Sequence, residues 1–139
     1  MSYTRIVLAA LGAFVVYFAL GGLLFTSAFM RSEFMKYPAV YRSQDAMRQV
    51  MPFGMLGMFL SMLVLAVLFA MIHPRGGSVG DGAIFGVLIG LYALGSFVLH
   101  NHVNLNIGAK LTLMQGAAYF VEWTIVGIVI ALIYGSVAG

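Results

Sequence analysis

Four long apolar runs, separated by short charged or glycine-rich segments, constrain this chain more than any other feature. Each run is close to the roughly 20 residues that an α-helix needs to cross about 30 Å of hydrocarbon. We expect the spans to cover residues 6–30, 51–73, 82–102 and 111–135. None of the runs alternates apolar and polar residues, which excludes a closed barrel. The sequence therefore predicts an all-α fold, with residues 1–139 forming one integral membrane bundle of four transmembrane helices.

The composition excludes several classes of function. With 63% hydrophobic and only 8% charged residues, the chain has no segment that could form a water-soluble core of its own. It contains no cysteine, which excludes disulfides, thiolate metal ligands and thiol catalysis. The net charge of +3 is spread over loops, so we expect no nucleic-acid partner. The expected partners are membrane lipids, together with other membrane-protein subunits or further copies of this chain.

The positive charges predict how the chain is oriented. The side with the first loop (residues 31–50) and the third loop (103–110) carries Arg31, Lys36, Arg42, Arg48 and Lys110, whereas the other side, with the second loop (74–81), carries only Arg5 and Arg75. The positive-inside rule then places the first loop in the cytoplasm and both termini on the non-cytoplasmic side of the cell (inner) membrane. The first run is longer than the roughly 7 to 15 apolar residues of a cleaved signal. We therefore expect it to remain as the first span.

Local signals refine the ends of the second span. Ser43 has the character of an N-cap, and a short helix is expected to lead from it through Arg48 into this span. Pro52 is expected to open the span and Pro74 to close it, since helix ends tolerate proline.

Small residues recur four positions apart on two of the predicted spans. In lipid there is no hydrophobic drive between helices, so their association depends on close backbone contact, which small residues permit. The third span carries Gly82, Gly86 and Gly90, and the fourth carries Gly127, Ala131 and Gly135. These residues are helix-packing candidates with two interpretations. The stripes either join the helices of one bundle, or the third-span stripe docks onto another chain.

A single carboxylate, Glu122, lies near the middle of the fourth span. A charge at that depth costs roughly 2.5 to 3.5 kcal/mol on insertion scales, so it marks a candidate functional site. Gln115 and Tyr119 fall on the same helix face and extend it into a polar stripe, which should face the bundle interior or a partner. One interpretation is structural, with the carboxyl group bonded to a tyrosine hydroxyl or a backbone carbonyl. The other is a proton or cation site in a carrier.

The third span ends in a cluster of amides and imidazoles between His100 and Asn106. This cluster is either a polar cap on the helix end or a vestibule leading toward Glu122, in which His100 and Asn104 contact a small polar or ionic ligand. His73 and His100 belong to opposite membrane faces, so they cannot be a pair of haem ligands. We expect no metal, no cofactor and no catalytic residue, and the chain is not expected to be an enzyme.

Several short motifs together resemble a known kind of protein. They are the loop Tyr-Pro-Ala-Val-Tyr-Arg at 37–42, the glycine-spaced third helix with its Asn-rich end, and Phe-Val-Glu-Trp at 120–123 followed by Gly127. In these motifs the chain is similar to small bacterial four-helix inner-membrane proteins of uncharacterised function. The resemblance implies an α-helical inner-membrane protein and no particular activity.

Two functions from different classes fit these features. The favoured one is an accessory or structural subunit of a larger integral membrane complex, which packs through glycine-rich helix faces. The alternative is an oligomeric small-molecule or ion carrier or channel, in which Glu122 lines a path between subunits.

Overall fold

The computed structural model describes residues 2–136, except for the side chain of Ser136. The helices are α1 (Tyr3–Phe25), α2 (Ala28–Phe34), α3 (Gln44–Ile72), α4 (Val79–Ala93), α5 (His100–Asn104) and α6 (Ala109–Ser136). A π-helical turn, Leu94–Leu99, joins α4 to α5 without a break. Four helices are long and apolar enough to cross a membrane: α1, α3, α6 and the continuous helix Val79–Asn104. The predicted all-α bundle is confirmed, and the described residues contain no strand.

Serine caps set several helix ends at positions that differ from the expected spans. The first helix ends at Phe25 rather than at residue 30, because Ser27 starts the separate helix α2 by accepting a hydrogen bond from the Met30 amide, 3.3 Å away. Ser43 caps α3 by accepting from the Ala46 amide at 3.3 Å. The second helix therefore begins at Gln44 rather than at residue 51. Pro52 lies inside that helix instead of opening it.

The fourth transmembrane helix, α6, is the centre of the bundle. It packs against both α1 and α4, whereas α3 packs mainly on the outer side of α1. The contact with α4 is the closest, because Gly82 and Gly86 bring the two backbones together. A Cβ atom at Gly86 would lie 2.5 Å from the carbonyl oxygen of Trp123, and one at Gly82 would lie 2.5 Å from the Cβ of Ala131.

The glycine stripe of the third span is therefore covered by the chain's own fourth helix. Gly90 faces Phe120 in the same way, and Gly127 lies directly against Gly82 and Gly86. Gly135 instead faces the second loop at Gly77. Because this face is occupied within the chain, it is not free to dock onto another chain.

Two buried clusters hold the bundle together at its two ends. The larger joins α1, α3, α4 and α6 toward the second loop and includes Ala13, Met62, Phe69 and Tyr134. The smaller lies under the first loop and is centred on Leu111 of α6.

The first half of α3 extends away from these clusters. From Ser43 to Gly57, every residue except Ala46 is exposed. Near its other end, α3 contacts α4 through the rings of Phe69 and Phe85, whose centroids are 5.4 Å apart.

Candidate functional site

Aromatic rings line the contact between α1 and α6 on both sides of Glu122. Tyr17 of α1 lies against Trp123 of α6, with ring centroids 5.2 Å apart. Two helical turns further along α1, Phe25 lies 5.0 Å from the ring of Tyr119. Glu122 precedes Trp123 and follows Tyr119 by one turn, so its side chain falls between the two aromatic pairs. We call these four rings the aromatic seam.

Gly21 leaves the gap that the carboxyl group of Glu122 occupies. It lies on the same face of α1 as Tyr17 and Phe25, one helical turn from each. A Cβ atom at Gly21 would lie 2.9 Å from Glu122 Oε1. The carboxyl group therefore occupies the space that a larger residue at position 21 would fill.

The carboxyl group of Glu122 is completely buried. Its residue exposure is 0%, and neither Oε1 nor Oε2 has a partner among the described residues. Within the described part of the chain, the hydrogen bond to a tyrosine hydroxyl or backbone carbonyl that the sequence suggested is therefore not formed. Tyr17 and Tyr119 are near enough to interact electrostatically with the carboxyl group. An isolated carboxylate in such surroundings is strongly destabilising unless a proton or a cation neutralises it.

The site lies within one chain. Glu122 is enclosed between α1 and α6 of the same molecule, so it does not lie on a surface where subunits would meet. Within this chain, the carboxyl group of Glu122 therefore belongs to a site inside the bundle.

The predicted polar stripe on α6 is divided between two environments. Gln115 Nε2 donates a hydrogen bond to Tyr41 Oη of the first loop at 3.3 Å. Tyr119 lies among aromatic rings, with Phe97 at 5.6 Å in addition to Phe25. Only Tyr119 therefore belongs to the surroundings of Glu122, while Gln115 anchors the first loop.

The polar cluster at the end of the third span stays at the surface. His100 and Asn104 are both exposed, so they take no part in enclosing Glu122. His102 Nδ1 lies 2.8 Å from the hydroxyl of Thr112, which is buried near the start of α6. This bond joins α5 to α6 across the third loop. The exposed His100 and Asn104 side chains therefore do not form a vestibule around Glu122.

A second buried acid, Glu33, was not predicted from the sequence as a site residue. Glu33 in α2 is only 3% exposed, and its Oε1 accepts hydrogen bonds from Lys110 Nζ at 2.6 Å and Lys36 Nζ at 2.7 Å. These two bonds, that of Lys110 first, hold the pKa of Glu33 below its ordinary value. The ion pair with Lys110 ties the first loop to the start of α6. The pairing of residues 77 positions apart left no signal in the sequence.

Tyr37 makes a second connection between the first loop and α6. Its hydroxyl oxygen accepts a hydrogen bond from the backbone amide of Gly108 at 3.0 Å. A Cβ atom at Gly108 would lie 2.6 Å from that oxygen, so a larger residue there would displace the Tyr37 hydroxyl. Together with the ion pair, this bond positions the first loop as a cap over the smaller buried cluster.

A large groove opens between α3 and α4, with a cavity volume of about 770 Å³. Its walls are side chains of α3, α4 and the π-helical turn, mostly apolar, with hydroxyl groups from Ser61, Tyr92 and Ser96. Its floor is formed by Tyr17, Tyr119 and Trp123. These are three of the four rings of the aromatic seam. They therefore lie between the groove and the carboxyl group of Glu122.

The four long apolar helices define a multi-pass membrane protein, and Glu122 lies enclosed within its bundle. The chain belongs to the family described as "Protein of unknown function (DUF1761)", whose model matches residues 8–131. No curated protein and no solved structure matches it.

Proposed function

We propose that this protein is a membrane carrier for a small molecule or ion, and that Glu122 is its binding carboxyl group. The observation that supports this most strongly is the burial of Glu122 without any hydrogen-bond partner among the described residues. Acids in membrane spans are costly, and those that persist usually mark proton or substrate sites. A structural role would require a partner for the carboxyl group, and the described part of the bundle supplies none.

The surroundings of Glu122 suit reversible binding. The aromatic seam keeps the carboxyl group away from hydrocarbon tails, and Gly21 leaves room for it on the α1 side. Aromatic rings can rotate about their side-chain bonds without disturbing the helix backbone, so the seam can open while the bundle stays intact. Neither binding nor release in this arrangement requires a catalytic group.

Flux measurements on reconstituted protein test the proposal. The full-length protein is placed in liposomes that contain a pH-sensitive dye, and gradients of protons, sodium or potassium are imposed. We expect the protein to carry protons or to exchange them for a cation, and we expect Glu122→Gln to abolish this flux. Gln115→Leu alters the same helix but not the aromatic seam, so it should retain the flux and serves as the matched control. The proposal would be contradicted if vesicles that contain the wild-type protein were no more permeable than protein-free vesicles.

A second candidate function is that of an accessory subunit in a larger membrane complex. The supporting observation is the first half of α3, where residues 47–57 are exposed on every side. A Cβ atom added at Gly54 or Gly57 would have no neighbour within 4 Å, so a partner helix could approach these glycines closely. In this role the protein would contribute packing surface rather than transport.

Purification tests the accessory role directly. Extraction from native membranes in mild detergent, followed by intact-complex mass measurement, should yield a stable hetero-complex. A photoreactive phenylalanine analogue at position 53, where Phe53 is 79% exposed, should cross-link to the partner. The same analogue at Phe18 of α1 should not. A lone monomer or small homo-oligomer without the position-53 cross-link would contradict this role.

For either function we propose the cell (inner) membrane as the location, with both termini on the non-cytoplasmic side. This rests on the excess of lysine and arginine in the first and third loops. The chain has no cysteine, so single cysteines placed near Ser2 or in the first loop would report their side through impermeant thiol reagents. Labelling of the first loop from outside intact cells would contradict the orientation.

A further inference from the structure

The groove between α3 and α4 has the chemistry of a site for one class of ligand. None of the described residues that line it is charged, and its walls are mainly aliphatic and aromatic. The volume of about 770 Å³ lies within the usual range for pockets that bind small organic molecules. The groove lies along two helices that cross the membrane, so a ligand dissolved in the bilayer would reach it from the side.

The ionisable group beyond the floor is acidic. Glu122 adjoins the floor residues Tyr119 and Trp123 on α6, and no hydrogen bond from the described residues occupies its carboxyl oxygens. The tyrosine and tryptophan rings present π faces that attract cations. An anionic ligand would find no basic residue in the described lining of this groove, whereas a cationic ligand would find three aromatic rings in the floor and the buried carboxyl group of Glu122 behind them.

The same site is poorly suited to a bare inorganic cation. Calcium requires six to eight oxygen ligands and magnesium keeps a nearly complete octahedral shell, whereas among the described residues Glu122 supplies one carboxyl group and Tyr17 and Tyr119 supply two phenol groups near it. An organic cation with its charge spread under apolar groups loses little hydration on entering hydrocarbon. Contacts with aromatic rings and a single carboxylate can then compensate for the hydration that the cation loses.

The helix that forms one wall of the groove contains an irregular turn next to the floor. The π-helical turn Leu94–Leu99 supplies Ser96 and Phe97 to the lining, and Phe97 contacts Tyr119 of the floor at 5.6 Å. Turns of this kind are rare and occur often at functional sites. A shift of this turn would move Phe97 and release Tyr119, which covers the approach to Glu122.

We infer that the groove binds a lipophilic organic cation, which enters from the bilayer between α3 and α4 and is neutralised by the carboxyl group of Glu122. This inference rests on the proposed carrier function and names its substrate class. During binding the floor rings rotate, and the positive charge comes to lie between the aromatic seam and the carboxylate.

Binding of tetraphenylphosphonium to the full-length protein in lipid nanodiscs tests this inference. The wild-type protein should bind the cation saturably. Glu122→Gln should weaken binding by at least about 30-fold, because it removes one partner of a buried charge pair. Val64→Trp places a large side chain in the groove from α3, at a residue that is 57% exposed and outside the buried clusters. It should weaken binding about 10-fold or more, whereas Val15→Trp, on the exposed face of α1, should not.

The outcomes separate the inference from the proposed function. No saturable binding by wild-type protein, with a proton flux that depends on Glu122 still present, overturns the organic-cation site and leaves the carrier proposal standing. Binding unaffected by Val64→Trp overturns the groove as the binding site. Binding that depends on Glu122 and on Val64, in vesicles that show no flux, supports the site and overturns transport. A thermal midpoint measured for each variant shows whether it is folded, so a loss of binding in a folded variant is interpretable.

Discussion

Replacing Gly86 with alanine is expected to destabilise the bundle, and the structure sets the size of the effect. The new Cβ atom would lie 2.5 Å from the carbonyl oxygen of Trp123 and 2.7 Å from the Cα of Thr124. Ordinary contact begins at 3.4 Å, so α4 and α6 would have to separate locally by about 0.9 Å. Both neighbours are backbone atoms, so no side-chain rotation can relieve the overlap.

The expected cost follows from two opposing effects. Overpacking of this kind costs about 3 kcal/mol, at the upper end of its usual range. Alanine recovers up to about 1 kcal/mol through its better helix propensity. The net loss for Gly86→Ala is therefore about 2 kcal/mol. Gly57→Ala is the matched control, because nothing lies within 4 Å of its added Cβ, and it should be neutral or stabilising by up to about 1 kcal/mol.

Unfolding in mixed micelles is the appropriate assay. Increasing the fraction of a denaturing detergent while recording helical circular dichroism gives the free energy of unfolding for each variant. Gly86→Ala should unfold at a clearly lower detergent fraction than the wild type, and Gly57→Ala should not. Equal stability of Gly86→Ala and wild type would show that α4 does not approach α6 as closely as described.

Three further predictions concern the candidate site and the first-loop cap. Gly21→Ala should displace the carboxyl group of Glu122 and reduce the flux measured in liposomes at least several-fold. Gly22→Ala, which has nothing within 4 Å of the added atom, should leave the flux unchanged, and equal fluxes in the two variants would contradict the position of the carboxyl group. Because the folded-state pKa of Glu33 is lowered from 4.5, its contribution to stability should be complete above that pH and lost as the pH falls through the folded-state value. Thermal midpoints recorded from pH 7 to pH 3 should show this loss in the wild type, and Glu33→Gln should be less stable at pH 7 with a flatter profile. Tyr37→Phe should lower stability by about 1 kcal/mol in the mixed-micelle assay, since it leaves one backbone amide without its partner, and an unchanged value would show that the amide is satisfied in another way.

The fold could be predicted from the sequence because few backbone structures can cross the hydrocarbon core of a membrane. A span must satisfy its backbone hydrogen bonds internally, so four apolar runs of sufficient length imply four helices. The ends of these helices were harder to predict, because the residues before and after a helix cap can be equally hydrophobic. Ser27 ends the first helix inside an apolar run, whereas the N-cap predicted at Ser43 is confirmed and only the role of Pro52 as the opening residue was wrong.

The candidate site could be predicted only in part. Glu122 was identified because its depth in an apolar helix is visible in the sequence. Its neighbours were not identified, because a helix that is apolar on every side does not reveal which face meets which partner. The spacing of Tyr17, Gly21 and Phe25 could have indicated the α1 side of the site. Residues four apart lie on one helix face, so Gly21 leaves a gap between two aromatic rings.

The first-loop cap illustrates a different limit. The pairing of Glu33 with Lys110 depends on how the loop folds back over α6, and the local sequence around either residue says nothing about the other. Counting lysines and arginines placed Lys110 and the first loop, which contains Glu33, on the same side of the membrane. It did not show that they touch.

Labelling of the carboxyl groups with dicyclohexylcarbodiimide measures the state of Glu122 most directly. This hydrophobic reagent reacts with carboxylic acids in apolar surroundings, and mass measurement of fragments locates the adduct. If Glu122 is dry, unpartnered and reached from the groove, the reconstituted protein should carry the adduct at Glu122 and not at Asp45 or Asp81, and tetraphenylphosphonium should slow the reaction. An unreactive Glu122 in the folded protein, or labelling of Asp45 at an equal rate, would show that the acid is already satisfied or exposed to water.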